Sequence, residues 1–97
     1  MYAIEWSADA QKDLSHFRRH EQVRILDTVA RKLPFEPTVA TPKRKRLRPN
    51  RTAEWELRIG DFRVFYDVND QVQVVAVILV GEKQGNELFV RGQRKQI

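Results

Sequence analysis

TAEWELRIGDFRVFYDV, residues 52–68, switches the chain to a period of two, and its reading decides the fold. Trp55, Leu57 and Ile59 point one way and Glu54, Glu56 and Arg58 the other, the alternation of a half-buried β-strand. Gly60-Asp61 reads as a tight hairpin turn. Beyond it Phe62, Val64, Tyr66 and Val68 share a core face, while Arg63, Phe65 and Asp67 share the opposite one. Asn69-Asp70 is a second turn. The following QVQVVAVILV, residues 71–80, is apolar on both faces from Val74 onward, which marks a strand inside a sheet. Gly81 is expected to end it. The remaining EKQGNELFVRGQRKQI is mostly polar, and its local pattern is compatible with a short strand, a short helix or a frayed tail.

Upstream the period is helical. YAIEW, residues 2–6, alternates as a short strand, Ser7 stands where an N-cap belongs, and Asp9 falls in the first turn of a helix starting near Ala8. Ala10, Leu14 and Phe17 lie on one face of that helix; Lys12, Asp13 and Arg18 fall elsewhere. A second helix is expected from about Glu21 to Leu33. Val23, Leu26, Ala30 and Leu33 form its apolar stripe, widened by Ile25 and Val29, and Pro34 ends it. The stretch from Pro34 to Arg51 has no period and holds all four prolines, so it reads as a long, partly stiffened loop of functional character. The order β-α-α-β-β-β predicts an α+β fold over residues 1–97 as one domain, with a helical hairpin packed on one face of a curved antiparallel sheet. The other face, carrying Glu54, Glu56, Arg58, Arg63, Phe65 and Asp67, is left for ligands.

A chain of 97 residues supports one modest core, and a hydrophobic fraction of 41% suffices to build it. No cysteine is present, which removes disulfides, thiolate ligands and a thiol nucleophile, and suits a reducing cytoplasm. The N-terminus lacks a charged leader followed by an apolar run, and no stretch has membrane-spanning length, so a soluble cytoplasmic protein without membrane contact is expected. The net charge of +5 is local. Residues 43–51, KRKRLRPNR, contain Lys43, Arg44, Lys45, Arg46, Arg48 and Arg51 and no acid, leaving 12 basic against 13 acidic residues elsewhere. Such a cluster is the electrostatic footprint of a polyphosphate partner, or else a solubilising loop or a landing site for an acidic protein.

Several enzyme classes fit poorly. Ser7 and Ser15 are the only serines and no G-x-S-x-G occurs, so a catalytic triad is not expected. His16 and His20 have i, i+4 spacing but no third ligand accompanies them, and no phosphate-cradling glycine loop exists. No metal or small-molecule cofactor is called for. RNA cleavage through its own 2′-hydroxyl, by contrast, needs only a base, cations around the phosphorane and an acid. Glu56 is a candidate base, Arg58 and Arg63 are candidate phosphate stabilisers, and Lys83 is a candidate acid or further cation. Phe65 and Phe89 are candidates for stacking on a base. Read singly, Glu56, Arg58 and Arg63 can equally be solvated charges bridging two strands.

The segment WELRIGDFRVFYDV, the later VILVGEK and NELF, and the early Ala10, Lys12, Asp13 and Leu14 together resemble the RelE/ParE toxin superfamily of type II toxin–antitoxin systems. The resemblance covers nearly all of the chain. It implies a RelE-like fold and a cognate antitoxin partner. For the RelE branch it further implies ribosome-dependent cleavage of messenger RNA, and for the ParE branch inhibition of DNA gyrase. By that resemblance Arg58 and Arg63 stand where substrate and phosphate are bound, Lys83 at the position of a catalytic basic residue that is commonly Arg, and Phe89 where Tyr is frequent. Glu56 stands where some relatives place Lys. Phe89 has no hydroxyl and Lys83 no bidentate fork, so neither reproduces the hydrogen bonds of the residue it replaces.

Overall fold

The computed structural model describes residues 1–97, in which nine elements succeed one another: β1 (Ala3–Trp6), α1 (Ala8–Ser15), α2 (Arg19–Lys32), β2 (Arg44–Arg46), β3 (Trp55–Ile59), β4 (Phe62–Asn69), β5 (Val74–Gln84), β6 (Glu87–Val90) and β7 (Gln93–Lys95). The strands run in the order β2-β3-β4-β5-β6-β7, all antiparallel, and β1 joins parallel to the first part of β5. The expected α+β arrangement is thus observed, with β2, β6 and β7 added to the strands the alternation revealed. RKR and QRK are too short and polar to carry a period of their own; their neighbours in the sheet impose the strand.

The turns follow from the residues at them. Gly60 has φ 59° while Asp61 does not take a positive φ, the pattern of a two-residue type II′ hairpin with Gly first. Ser7 caps α1 as expected, its Oγ accepting from the Ala10 N–H at 3.0 Å and donating to the Ile78 carbonyl at 2.9 Å. Gly81 does not end β5, which continues to Gln84 and there pairs with β6.

One core lies between helices and sheet: Ala10 and Leu14 of α1, Ile25 and Val29 of α2 with Leu33 at its C-cap, and Trp55, Leu57, Ile59, Phe62, Val64, Tyr66, Val75, Val77 and Val80 of the strands. Two expectations are corrected there. On α2 the buried column is Ile25, Val29 and Leu33, whereas Val23, Leu26 and Ala30 are exposed. A helix with apolar residues over so wide an arc offers two rotations, and packing against the sheet selects one. Asp13, assigned away from the core, is fully buried, with Oδ2 accepting the Val80 N–H at 3.0 Å and Oδ1 lying 3.0 Å from Arg91 Nε. Burial raises its pKa, opposed by the Val80 hydrogen bond and the Arg91 charge. A bulge at Ile78 explains why β5 is apolar on both faces: Phe65 faces Leu79 and Tyr66 faces Val77, so the phase slips and both Val77 and Val80 reach the helices. No helix is long and apolar enough to cross a membrane.

Candidate functional site

The face of the sheet away from the helices is only partly open. Gly81 lies on that face, and a Cβ there would meet Leu88 Cδ1 at 2.8 Å and the Phe89 carbonyl oxygen at 2.9 Å. Its bare backbone lets β6 curl inward, so that Leu88 and Val90 join Ala53, Phe65 and Leu79 in a second, smaller core. What stays open is a hollow of about 750 Å³ between the segment after β2 and the β6–β7 hairpin. Its walls carry Lys45, Arg46, Arg48, Lys83, Arg94 and Lys95, against the carboxylates of Glu56 and Glu87, over a floor that includes Phe65 and Leu88.

Four residues were expected to carry chemistry. Glu56 is buried at the edge of the hollow, with Oε1 3.4 Å from Arg63 Nε and Oε2 3.9 Å from Lys45 Nζ. Arg63 is buried too. Its Nη1 donates to the Gly60 and Phe62 carbonyls at 2.8 and 3.0 Å, so the guanidinium ties down the β3–β4 turn and one oxygen of Glu56. Burial pulls its pKa below the usual arginine value, and the like charge of Arg58 adds to this. Arg58 faces Arg63 across the two strands and is exposed, with no ion pair. Lys83 projects from the same face, two residues beyond the Gly81 that pairs with Arg63, and lines the hollow. The three cations therefore share a face without surrounding one point: Lys83 and Glu56 both line the hollow without forming an ion pair, while Arg58 and Arg63 lie outside its lining.

The basic run divides in the same way. Alternation within β2 sends Arg44 to the core side, opposite Leu57, and Lys45 to the open side, opposite Glu56. Arg44 is buried, not displayed for RNA. Its Nη1 donates to the Glu36 and Val39 carbonyls at 2.8 and 3.3 Å and its Nη2 to the Lys32 carbonyl at 3.2 Å, where a cation complements the end of α2. Arg46 lies 3.8 Å from Glu54 and 5.9 Å from the Trp55 ring. Lys43, Arg48 and Arg51 remain exposed without an ion pair. The expected stacking residues are also corrected. Phe65 is 2% exposed within the second core, so although it borders the hollow it has no free face for a base to stack on. Phe89 pairs opposite Glu82, on the helix side of β6, and borders a separate depression with His16, Phe17 and Arg91. Lys83 and Phe89 thus sit on opposite faces, because β6 alternates and Leu88 takes the place beside Lys83.

Arg94 and Lys95 are contributors that sequence reasoning missed. Their strand has no pattern, and the only available signal was the charge of the QRK segment. No group of three or more His, Asp or Glu side chains is placed to hold a metal ion.

Comparison with known proteins agrees with this architecture. The chain is similar to the toxin–antitoxin complex RelBE2 from Mycobacterium tuberculosis, at 21% identity and a TM-score of 0.74, over 84% of this chain and 98% of that one. It is also similar to the isolated RelE toxin of E. coli (18% identity, TM-score 0.70, 88% of this chain and 87% of that) and to a YoeB/ParE toxin from Agrobacterium tumefaciens (17%, 0.63, 84% and 99%). At such identities the likeness establishes the fold. No curated protein matches the sequence. Residues 4–86, however, match the family described as the ParE toxin of type II toxin–antitoxin systems, parDE. The chain therefore belongs to the ParE toxin family, a toxin of a type II toxin–antitoxin system within the RelE/ParE superfamily.

Proposed function

We propose that this toxin is a ribosome-dependent endoribonuclease that cuts messenger RNA without a metal and so stops translation in the cytoplasm. The observation carrying the reading is that one hollow is lined by both a carboxylate, Glu56, and an ammonium, Lys83, and has cations on either wall. In the reaction the substrate's 2′-oxygen attacks the adjacent phosphorus as its proton passes to Glu56. Negative charge grows on the phosphorane between Lys83 and the cationic walls. The 5′-oxygen leaves with a proton from Lys83, giving a 2′,3′-cyclic phosphate and a 5′-hydroxyl. Arg63 acts through Glu56, fixing the carboxylate's orientation from its own buried position. The free heads of Lys43, Arg48, Arg51 and Arg58 face outward, available to the phosphates of the messenger or of the ribosome around it. A cognate antitoxin is the further partner, since the similar RelBE2 structure is a toxin–antitoxin complex.

A second reading, a non-catalytic inhibitor directed at DNA gyrase as in the ParE branch, is favoured by one feature: Lys45 faces Glu56 of β3 and Arg46 faces Glu54 just before it, which offsets part of the charge on that wall. Primer extension on messenger RNA incubated with the purified toxin, with and without ribosomes, separates the two. Cleavage is expected only when ribosomes are present, with Glu56→Gln and Lys83→Ala each slowing it by roughly 100-fold or more. Intact messenger in both tubes, with DNA synthesis arrested first in cells, supports the second reading instead.

A further inference from the structure

Lys95 is assigned no role by the family likeness, yet it completes a line of residues across the open face. The register Lys83↔Leu88↔Lys95 sets the two lysines on one face of three successive strands, their Cα atoms roughly 10 Å apart. Leu88 between them is buried, so the space above it has an apolar floor. Neither ammonium has an ion-pair partner; on β7 it is Arg94 that is neutralised, by Glu87 at 3.1 Å. Arg48 lines the wall across the same hollow. Two uncompensated cations with an apolar surface between them repel each other unless an anion lies between. A phosphodiester with its base or ribose laid on Leu88 satisfies both features of the surface.

We infer that Lys95, together with Lys83, holds a second phosphodiester of single-stranded RNA over the Leu88 floor, flanking the linkage to be cut. The inference rests on the proposed nuclease reading and extends the substrate along the β6–β7 hairpin. Because Gly81 is what lets that hairpin approach the sheet, the subsite exists only in the curled form of the strand.

The test is binding of fluorescent hexauridylate to the intact toxin in the absence of ribosomes, measured against salt. Each phosphate contact on a single strand adds about 0.7 to the slope of log affinity against log salt. Lys95→Gln is expected to lower the slope by about that amount, and Lys95→Arg to restore it. Lys95 is exposed, so both variants are expected to fold, and unfolding curves that match the parent's are the control for it. An unchanged slope in Lys95→Gln overturns the subsite. So does a variant that binds hexauridylate normally but has lost affinity for an acidic antitoxin, which assigns the lysine to a protein interface. Primer extension keeps this result apart from the nuclease reading: a toxin that never cuts messenger yet shows the slope change defeats the nuclease and leaves an RNA-binding subsite.

Discussion

Arg44 and Lys43 are adjacent cations of the same run, and their surroundings make them opposites. Arg44 holds three carbonyls of the 32–39 segment with its buried fork, whereas Lys43 is exposed. Arg44→Ala leaves those carbonyls without their donor and is expected to cost on the order of 3 kcal/mol. Lys43→Ala should stay within about 0.5 kcal/mol of the parent. Arg44→Lys is expected to recover only a minor part, because an ammonium cannot span carbonyls on both sides. Urea denaturation of the three variants decides it, and equal midpoints for Arg44→Ala and Lys43→Ala would refute a structural role for the fork. The charge of this run was legible in the sequence and its division was not. Which of six cations is buried depends on the alternation of a three-residue strand, and that strand exists only because β3 lies beside it. Arg63 gives the same lesson: its place on the open face was legible, its engagement by the turn was not.

At the level of elements, the β6–β7 hairpin shapes the hollow, and Gly81 allows it. Adding a methyl at Gly81 collides with Leu88 Cδ1, which can turn aside, and with the Phe89 carbonyl oxygen, which is backbone and cannot. Gly81→Ala is therefore expected to destabilise the fold by about 2 kcal/mol. The loss should concentrate in the hairpin, and amide hydrogen exchange should quicken at Leu88 and Val90 far more than at Val75 or Val77. Uniform quickening along β5 would show that the hairpin is not a separate, clamped unit. On the opposite side of the sheet, α1 was read correctly from its cap and apolar spacing, but Asp13 was not. A carboxylate is assigned to solvent by default, and Asp13 is buried because the Val80 amide beyond the Ile78 bulge requires an acceptor.

Across the whole molecule, Tyr66 links the middle of the sheet to the proline-rich crossing, its buried Oη donating to the Pro37 carbonyl at 2.6 Å. Burial raises its pKa well above the ordinary 10.0. A raised phenol pKa means that the folded chain keeps the proton while the unfolded chain releases it. The associated stability is thus intact below pH 10 and lost as pH rises beyond it, by at most about 1.4 kcal/mol per pH unit. Tyr66→Phe should be less stable near neutrality by about 1 to 2 kcal/mol, since the Pro37 carbonyl loses its donor. Its stability should also fall less steeply than the parent's between pH 10 and 11, in urea titrations at each pH. Parallel declines would show that the phenol ionises equally in both states.

The sequence by itself determined the strands of residues 52–68 with their core-facing residues, and the presence of both helices, because side-chain alternation is a local property of the backbone; the rotation of α2 it left open. It also determined the family likeness and the sign of the charge near the sheet. Only the tertiary structure decided which charges are available. Arg44 is buried, Arg63 is bound to a turn, Lys45 and Arg46 face acids, and Lys83 and Lys95 are open. A charge is neutralised, buried or left free by partners distant in the chain, and those are set by strand register, which the pattern of any single segment does not encode.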